Sequence, residues 1–353
     1  MARRGRAPVT AVAGAPRDVG QRLIAPEQDF FLLLEASEPI PDPVAWVAGN
    51  RGLLEDRLLS HGALLLRGFG IGPGQFRDIV FRVSPPGSAM DYAGGGSPRG
   101  RVAEDVYLST RVPPASTMVQ HHELSYFRRW PRKVFFYCET PATTGGETPI
   151  CSSRRFLECL DPAIVERVGL RGILYVRNYV RGLGPSWQEA FETRDRSAVE
   201  AACRRNGVEV EWRSGDRLRT RHRAHGLARH PVTGETVFFN QAYGSNWRSG
   251  EPGLPAPQLR CLAPGMPPAI LARILALPKD EVPYLASYGD GAEIEASVLE
   301  KIHGVFEAES VAIPWQAGDL LVLDNMLASH GRRPYTGARR ILVALTEPHT
   351  ADG

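Results

Sequence analysis

The sequence predicts a single-domain protein, mainly β with α insertions, built on a closed or sandwiched β core. Three observations carry this prediction. Strand-type stretches stand near both ends of the ordered region, in "GALLLRGF" and in "VAIPWQAGDLLVLDN" with "RRILVAL", while helix-type spacing is inserted between them. Strands and helices do not alternate in the regular way of a βαβ repeat. The 353 residues are 43% hydrophobic, enough to bury a full core, and no internal repeat or low-complexity linker divides them.

The elements follow in order. Residues 1–25 begin "MARRGRAPVTAVAGAPRD", a basic stretch without the apolar core of a secretory signal, and read as a disordered tail on a cytoplasmic protein. The folded domain is expected over 26–350. "PDPVAWVAGNRGLLEDRLLSHG" predicts one helix with Asp42 as N-cap, Pro43 at its first position and Gly62 as its stop, followed by a buried strand from Ala63 to Leu66. A helix near "GQFRDIVFRV" leads into "SPPGSAMDYAGGGSPRGRVAED", whose glycines and prolines continue neither a helix nor a central strand. We read this loop, near residues 84–104, as a lid over the substrate, with Ser97 and Arg99 as its candidate substrate-binding residues; the plain alternative is a surface excursion.

"KVFFYCE" and "ETPICS" are strands joined by the turn "TPATTGG", and a helical insertion follows near 153–206. Strand patterning returns between Val208 and Phe239, with a hairpin around Thr233 and Gly234. The helices "PPAILARILAL" and "EASVLEKIHGVFEA" precede the closing strands.

With 42 basic and 39 acidic residues, the chain is too balanced for its charge to imply a nucleic-acid or membrane partner, and no stretch is apolar for long enough to span a bilayer. Five cysteines without a C-x-x-C pair indicate neither a disulfide framework nor a cysteine zinc site. From Arg217 to Arg223 arginines recur at every second position and line one face of a strand, either as a solvated basic face or as a dock for an anionic partner.

The chemistry concentrates in "VQHHELSY". On an extended segment His121 and Glu123 project together while His122 points the other way, which makes H-x-E a two-ligand clamp. His330, in "DNMLASHGRRPY", is the best distant third ligand. Two histidines and a carboxylate leave three positions of a metal open, the arrangement that suits non-haem Fe(II) and oxygen. "RRPYTGARR" should reverse the chain and bring Arg340 back beside His330, where its guanidinium can pair with a co-substrate carboxylate; Arg339 competes for that role because strand neighbours face opposite ways. Thr148, in "GGETPI", can add a hydroxyl to the same carboxylate. An H-E-x-x-H zinc-protease reading fails because Tyr126 stands where the second histidine must be.

In order along the chain, "GALLLRGFG", "MDYAGGGSPR", "HHELSY", "WPRKVFFYCETPATTGGETPI", "YVRNYVRGLG", "HPVTGETVFFNQ" and "WQAGDLLVLDNMLASHGRRPYTGARRILVAL" resemble the TauD/TfdA family of Fe(II)/2-oxoglutarate-dependent dioxygenases, in its SyrP-like, clavaminate synthase-like branch. The resemblance implies a double-stranded β-helix, or cupin-like jelly roll, flanked by helices. It implies His121, Glu123 and His330 as iron ligands, and Thr148 and Arg340 as holders of the 2-oxoglutarate C5 carboxylate.

The implied activity is O2-dependent hydroxylation of an amino acid or amino-acid-derived substrate, free or tethered to a carrier protein, in natural-product biosynthesis. Desaturation, epoxidation or cyclisation would use the same iron site. Glu123 fills the position that halogenating relatives leave open for chloride. Where many relatives read H-N-E this chain has His122, expected as a supporting or solvent residue, and the residue four past Arg340 is Ala344, which argues against taurine. A non-catalytic jelly-roll binding protein and a zinc or manganese cupin-like hydrolase or isomerase are the competing readings.

Overall fold

The computed structural model describes residues 19–91, 100–110, 112–248 and 255–350, so Ser97 and Arg99 lie outside the described residues, as does the middle of the expected lid. An eight-stranded sheet runs in the order Val19–Ala25, Phe30–Ala36, Ala63–Arg67, Leu320–Asp324, Arg129–Thr140, Arg340–Thr350, Val106–Leu108 and Arg101–Ala103. Strands from near both ends of the chain, Ala63–Arg67, Leu320–Asp324 and Arg340–Thr350, meet in its middle around Arg129–Thr140, as their patterning predicts. Strict alternation sends the two faces of each strand to different cores. Leu320, Val322, Leu342 and Ala344 pack beneath the helices Pro43–Gly49, Arg51–His61 and Phe76–Val83. Leu321, Leu323, Ile341, Val343 and Phe136 face inward, where Ile150 and Ala328 of a three-stranded sheet meet them.

That smaller sheet, with Ala328–Arg332 between Met118–His121 and Ile150–Ser152, closes the sandwich. The result is the mainly β, helix-flanked jelly-roll architecture expected. A further four-stranded sheet, ordered Glu209–Arg213, Arg217–Ala224, Ile173–Tyr179 and Tyr284–Tyr288, shares a third core with the helices Pro162–Arg171 and Ala296–Glu309.

Several boundaries differ from expectation. The end of the expected tail is a strand, because Val19–Ala25 pairs antiparallel with Phe30–Ala36 from Val19↔Ala36 to Ala25↔Phe30. The single helix after Asp42 is two: Asp42 caps the first by accepting from Ala45 N at 2.9 Å, and Asn50 separates it from the second, which ends at Gly62 with φ +69°. The expected helical insertion contains the strand Ile173–Tyr179, whose partners Arg217–Ala224 and Tyr284–Tyr288 lie far along the chain. The described flank of the lid stretch forms the short strands Arg101–Ala103 and Val106–Leu108 at the edge of the large sheet. No described helix is long and apolar enough to cross a membrane.

Candidate metal centre

His121 and His330 become neighbours through strand pairing. Met118–His121 and Ala328–Arg332 run antiparallel with His121 directly opposite His330, and the two rings lie 4.3 Å apart between centroids. Directly opposed side chains share a face. Glu123 follows two residues after His121, in a turn where Leu124 takes φ +56° and Phe127 N donates to Leu124 O at 2.9 Å. The turn brings Glu123 Oε2 to 3.7 Å from His330 Nε2, with both side chains buried. One ligand atom from each of His121, Glu123 and His330 lies within 4.8 Å of the others, and among the described residues no other group of three His, Cys, Asp or Glu converges this way.

The donor set fits a metal. A separation of 3.7 Å is too long for a direct hydrogen bond, yet an ion with ligand bonds of about 2 Å bridges it. His121 Nδ1 lies 2.9 Å from Val119 O; as the donor it fixes the tautomer whose lone pair is on Nε2, the state a metal requires. Two imidazoles and a carboxylate are the donors that non-haem Fe(II) takes.

His122 turns away, as alternation requires, but into protein rather than solvent. It is 2% exposed, with Nε2 3.0 Å from Ser153 Oγ and its ring against Phe239. Burial, helped by His330 and His121, lowers its pKa to about 3, so it is neutral at physiological pH.

The oxoglutarate residues divide. Thr148 is buried, and its Oγ1 accepts from Trp315 Nε1 at 3.2 Å. Arg340, the expected partner of the carboxylate, is exposed and paired with Glu139. The cause is strand parity: Arg340 keeps company with Leu342 and Ala344 on the outer face, whereas Arg339 shares the inner face with Ile341 and Val343. Arg339 Nε donates to Gly146 O at 2.9 Å and Nη1 to Ser109 Oγ at 3.4 Å. Burial, then repulsion from Arg332, presses its guanidinium down to about 10, still a cation at neutral pH.

Gly146, at φ +73°, makes room for this side chain, since a Cβ there would stand 3.0 Å from Arg339 Cδ and 3.1 Å from its Nε. Counted from Arg339, the residue four places on is Val343, which is also uncharged.

The three metal-ligating candidates border a cavity of about 790 Å³ through His121 and Glu123; Ser109, Tyr126, Tyr175 and Arg177 also line it. Tyr175 and Arg177 lie two apart on the strand Ile173–Tyr179, in a stretch read as helical from sequence. The alternation in "ILYVRNY" was the available signal. The arginine row on Arg217–Ala224 is neither a bare basic face nor an open dock. Arg219 is 5% exposed and reaches Asn178 Oδ1 at 2.7 Å, Arg217 and Arg219 meet Glu281, and Arg221 meets Glu211 at 2.8 Å.

Comparison with known proteins agrees with this geometry. The signature of the "Taurine catabolism dioxygenase TauD, TfdA family" matches residues 29–346. The dapdiamide synthesis protein DdaC of Enterobacter agglomerans is 37% identical over 295 residues, covering 83% of this chain and 84% of that protein. A clavaminate synthase-like protein of Arabidopsis thaliana is 29% identical over 307 residues, covering 83% of each. The crystal structure of PvcB from Pseudomonas aeruginosa shares the fold, with a TM-score of 0.51 at 17% identity over 97% of this chain and 95% of that one. A second structure describes PvcB as an Fe, alpha-ketoglutarate dependent oxygenase. With the signature spanning most of the chain and a His-Glu-His group at its centre, the protein belongs to the TauD/TfdA family and is an iron- and 2-oxoglutarate-dependent dioxygenase.

Proposed function

We propose that this dioxygenase hydroxylates an amino acid or amino-acid-derived substrate, free or carrier-tethered, in natural-product biosynthesis. In this reading His121, Glu123 and His330 hold Fe(II), while Thr148 and Arg339 receive the C5 carboxylate of 2-oxoglutarate. The observation that carries it is the His-Glu-His group bordering a large cavity, with the half-buried Arg339 bonded to Ser109 on the cavity wall. Iron, 2-oxoglutarate and O2 together supply an oxidant, with succinate and carbon dioxide as by-products.

The chain's own residues do the rest. A half-buried guanidinium held by two hydrogen bonds is oriented before the carboxylate arrives, so little freedom is lost on binding. Glu123 occupies the third protein position, which favours hydroxylation over halogenation. The aromatic walls at Tyr126, Phe127 and Tyr175 exclude water from the substrate carbon. Arg177 on one wall and Glu192 also border the cavity, so its lining carries charges of both signs, as an amino acid requires. DdaC carries a name from dapdiamide synthesis, and PvcB is described as coming from an isonitrile synthetic pathway; both support a biosynthetic setting.

The test is a turnover screen of free and carrier-loaded amino acids, reading succinate together with product mass. A gain of one oxygen on one substrate is expected. A loss of two hydrogens would replace hydroxylation with desaturation or ring closure. His121→Ala and His330→Ala should each abolish succinate formation, and unchanged turnover in either would overturn the ligand assignment.

A further inference from the structure

We propose that Asn325 is the positioning residue of Glu123, an inference that rests on Glu123 being a metal ligand. The Asn325 carboxamide engages both sides of one residue's backbone. Its Oδ1 accepts from Glu123 N at 2.7 Å, and its Nδ2 donates to Glu123 O at 2.9 Å and to Pro131 O at 2.8 Å. Asn325 is fully buried. One residue giving its N–H to a partner and receiving that partner's N–H at its C=O is the exchange made by a hydrogen-bonded pair in an antiparallel ladder. Here a side chain takes the place of the missing strand, because the strand Met118–His121 has ended before Glu123.

A support is needed at this point. Leu124, the next residue, sits at φ +56°, in the left-handed region that non-glycine residues avoid, so the segment does not hold this shape unaided. Asparagine is the residue that suits the place. Aspartate would offer an acceptor to Glu123 N but no donor to Glu123 O or Pro131 O, and an apolar residue would leave these buried backbone groups unpaired.

Asn325 is itself held firmly. Its N–H donates to Arg132 O at 2.8 Å. The preceding Asp324 accepts from Met326 N and Leu327 N through Oδ1, while its Oδ2 lies 3.0 Å from His230 Nε2. This turn leads directly into Ala328–Arg332, the strand that carries His330. One rigid turn therefore sets two ligands: Glu123 through a side chain and His330 through the chain.

The experiment uses the purified full chain under nitrogen with Mn(II) alone as the probe, reading the Mn(II) dissociation constant and the Mn(II)-induced rise in Tm. Asn325→Ala should weaken Mn(II) binding by about 10- to 100-fold, the usual loss when a group that orients a metal ligand is removed, and should shrink the Mn(II)-induced Tm rise. Asn325→Asp keeps the acceptor for Glu123 N but sets a carboxylate against the carbonyls of Glu123 and Pro131, so it should weaken Mn(II) binding at least as much. Asn178→Ala is the control: Asn178 is also buried and bonds Asp280 O, Val282 O and Arg219, but touches no candidate ligand. It should lower Tm while leaving the Mn(II) constant within twofold.

The proposal is overturned if Asn325→Ala, or Asn325→Asp where the alanine variant does not fold, binds Mn(II) within twofold of the parent. It is equally overturned if Asn178→Ala loses as much affinity. A parent whose Mn(II) binding is indifferent to Glu123→Ala would overturn the ligand assignment itself, a result distinguishable from either.

Discussion

Replacing Arg339 with methionine keeps most of the side-chain length and removes the half-buried cation. In the parent that cation is oriented by Gly146 O at 2.9 Å and Ser109 Oγ at 3.4 Å. Removing one partner of a buried, hydrogen-bonded charge pair costs about 2–5 kcal/mol, and about 1.4 kcal/mol is a factor of ten. Even the lower end raises the dissociation constant of 2-oxoglutarate by roughly 30-fold. Arg340→Met provides the contrast. Its side chain is 43% exposed and pairs with Glu139, an arrangement worth about 0–1 kcal/mol to stability, and 2-oxoglutarate binding should stay within about twofold. Lysine at 339 should rescue only in part, because a point charge does not reproduce a fork of two parallel donors. The assay is anaerobic titration of 2-oxoglutarate into the Fe(II)-loaded protein, followed by visible absorption. A large loss in Arg340→Met together with an unaffected Arg339→Met would refute the assignment and restore the pairing expected from sequence.

Three other outcomes follow from the same coordinates. Gly146→Ala forces a Cβ to 3.0 Å from Arg339 Cδ at a φ of +73°, so it should weaken 2-oxoglutarate binding in the same titration while leaving Mn(II) affinity nearly unchanged. His230→Ala leaves the fully buried Asp324 without its imidazole partner and should cost about 3 kcal/mol, read as a lower urea midpoint with an unchanged m-value. Arg154 grips Glu235 through Nε and Nη2 at 2.7 and 2.8 Å, and holds its carboxyl at about 2 against an ordinary value of 4.5. A depressed folded pKa stabilises fully above the unfolded value and is lost as pH falls through the folded one. Arg154→Met should therefore remove stability present at neutral pH and flatten the acid limb of a Tm-versus-pH curve between about pH 4.5 and 2.

Much of this architecture is legible in one sequence, and the failures share a cause. His121, Glu123 and His330 converge as read because strand alternation is local and antiparallel pairing places His121 opposite His330. The choice between Arg339 and Arg340 depends on where the strand parity starts, and "RRPYTGARR" contains a turn and an adjoining bulge that hide it. The strand Ile173–Tyr179 was obscured because its partners at 217–224 and 284–288 lie far along the chain, and helical spacing on both sides suggested one continuous insertion. The arginines of Arg217–Ala224 read as a solvated basic face or a dock because Glu281, which pairs with Arg217 and Arg219, is close only in space, and Glu211 meets Arg221 only once the two neighbouring strands pair. Of the two places expected for His122, supporting or solvent, it takes the supporting one, and its packing between Ser153 and Phe239 depends on residues distant in sequence.

The four-stranded sheet has a consequence for how such an enzyme diversifies. Ile173–Tyr179, Arg217–Ala224 and Tyr284–Tyr288 supply cavity walls through Tyr175, Arg177, Thr220 and Tyr284, whereas the three candidate iron ligands come from the jelly roll. Burning power and aim are thus encoded in separate stretches of one chain. A lineage can redraw the cavity-facing positions of these strands to admit a new molecule, whereas His230, which meets Asp324, and Gln241, which donates to His122 O, lie in the same span and tie it to the metal centre.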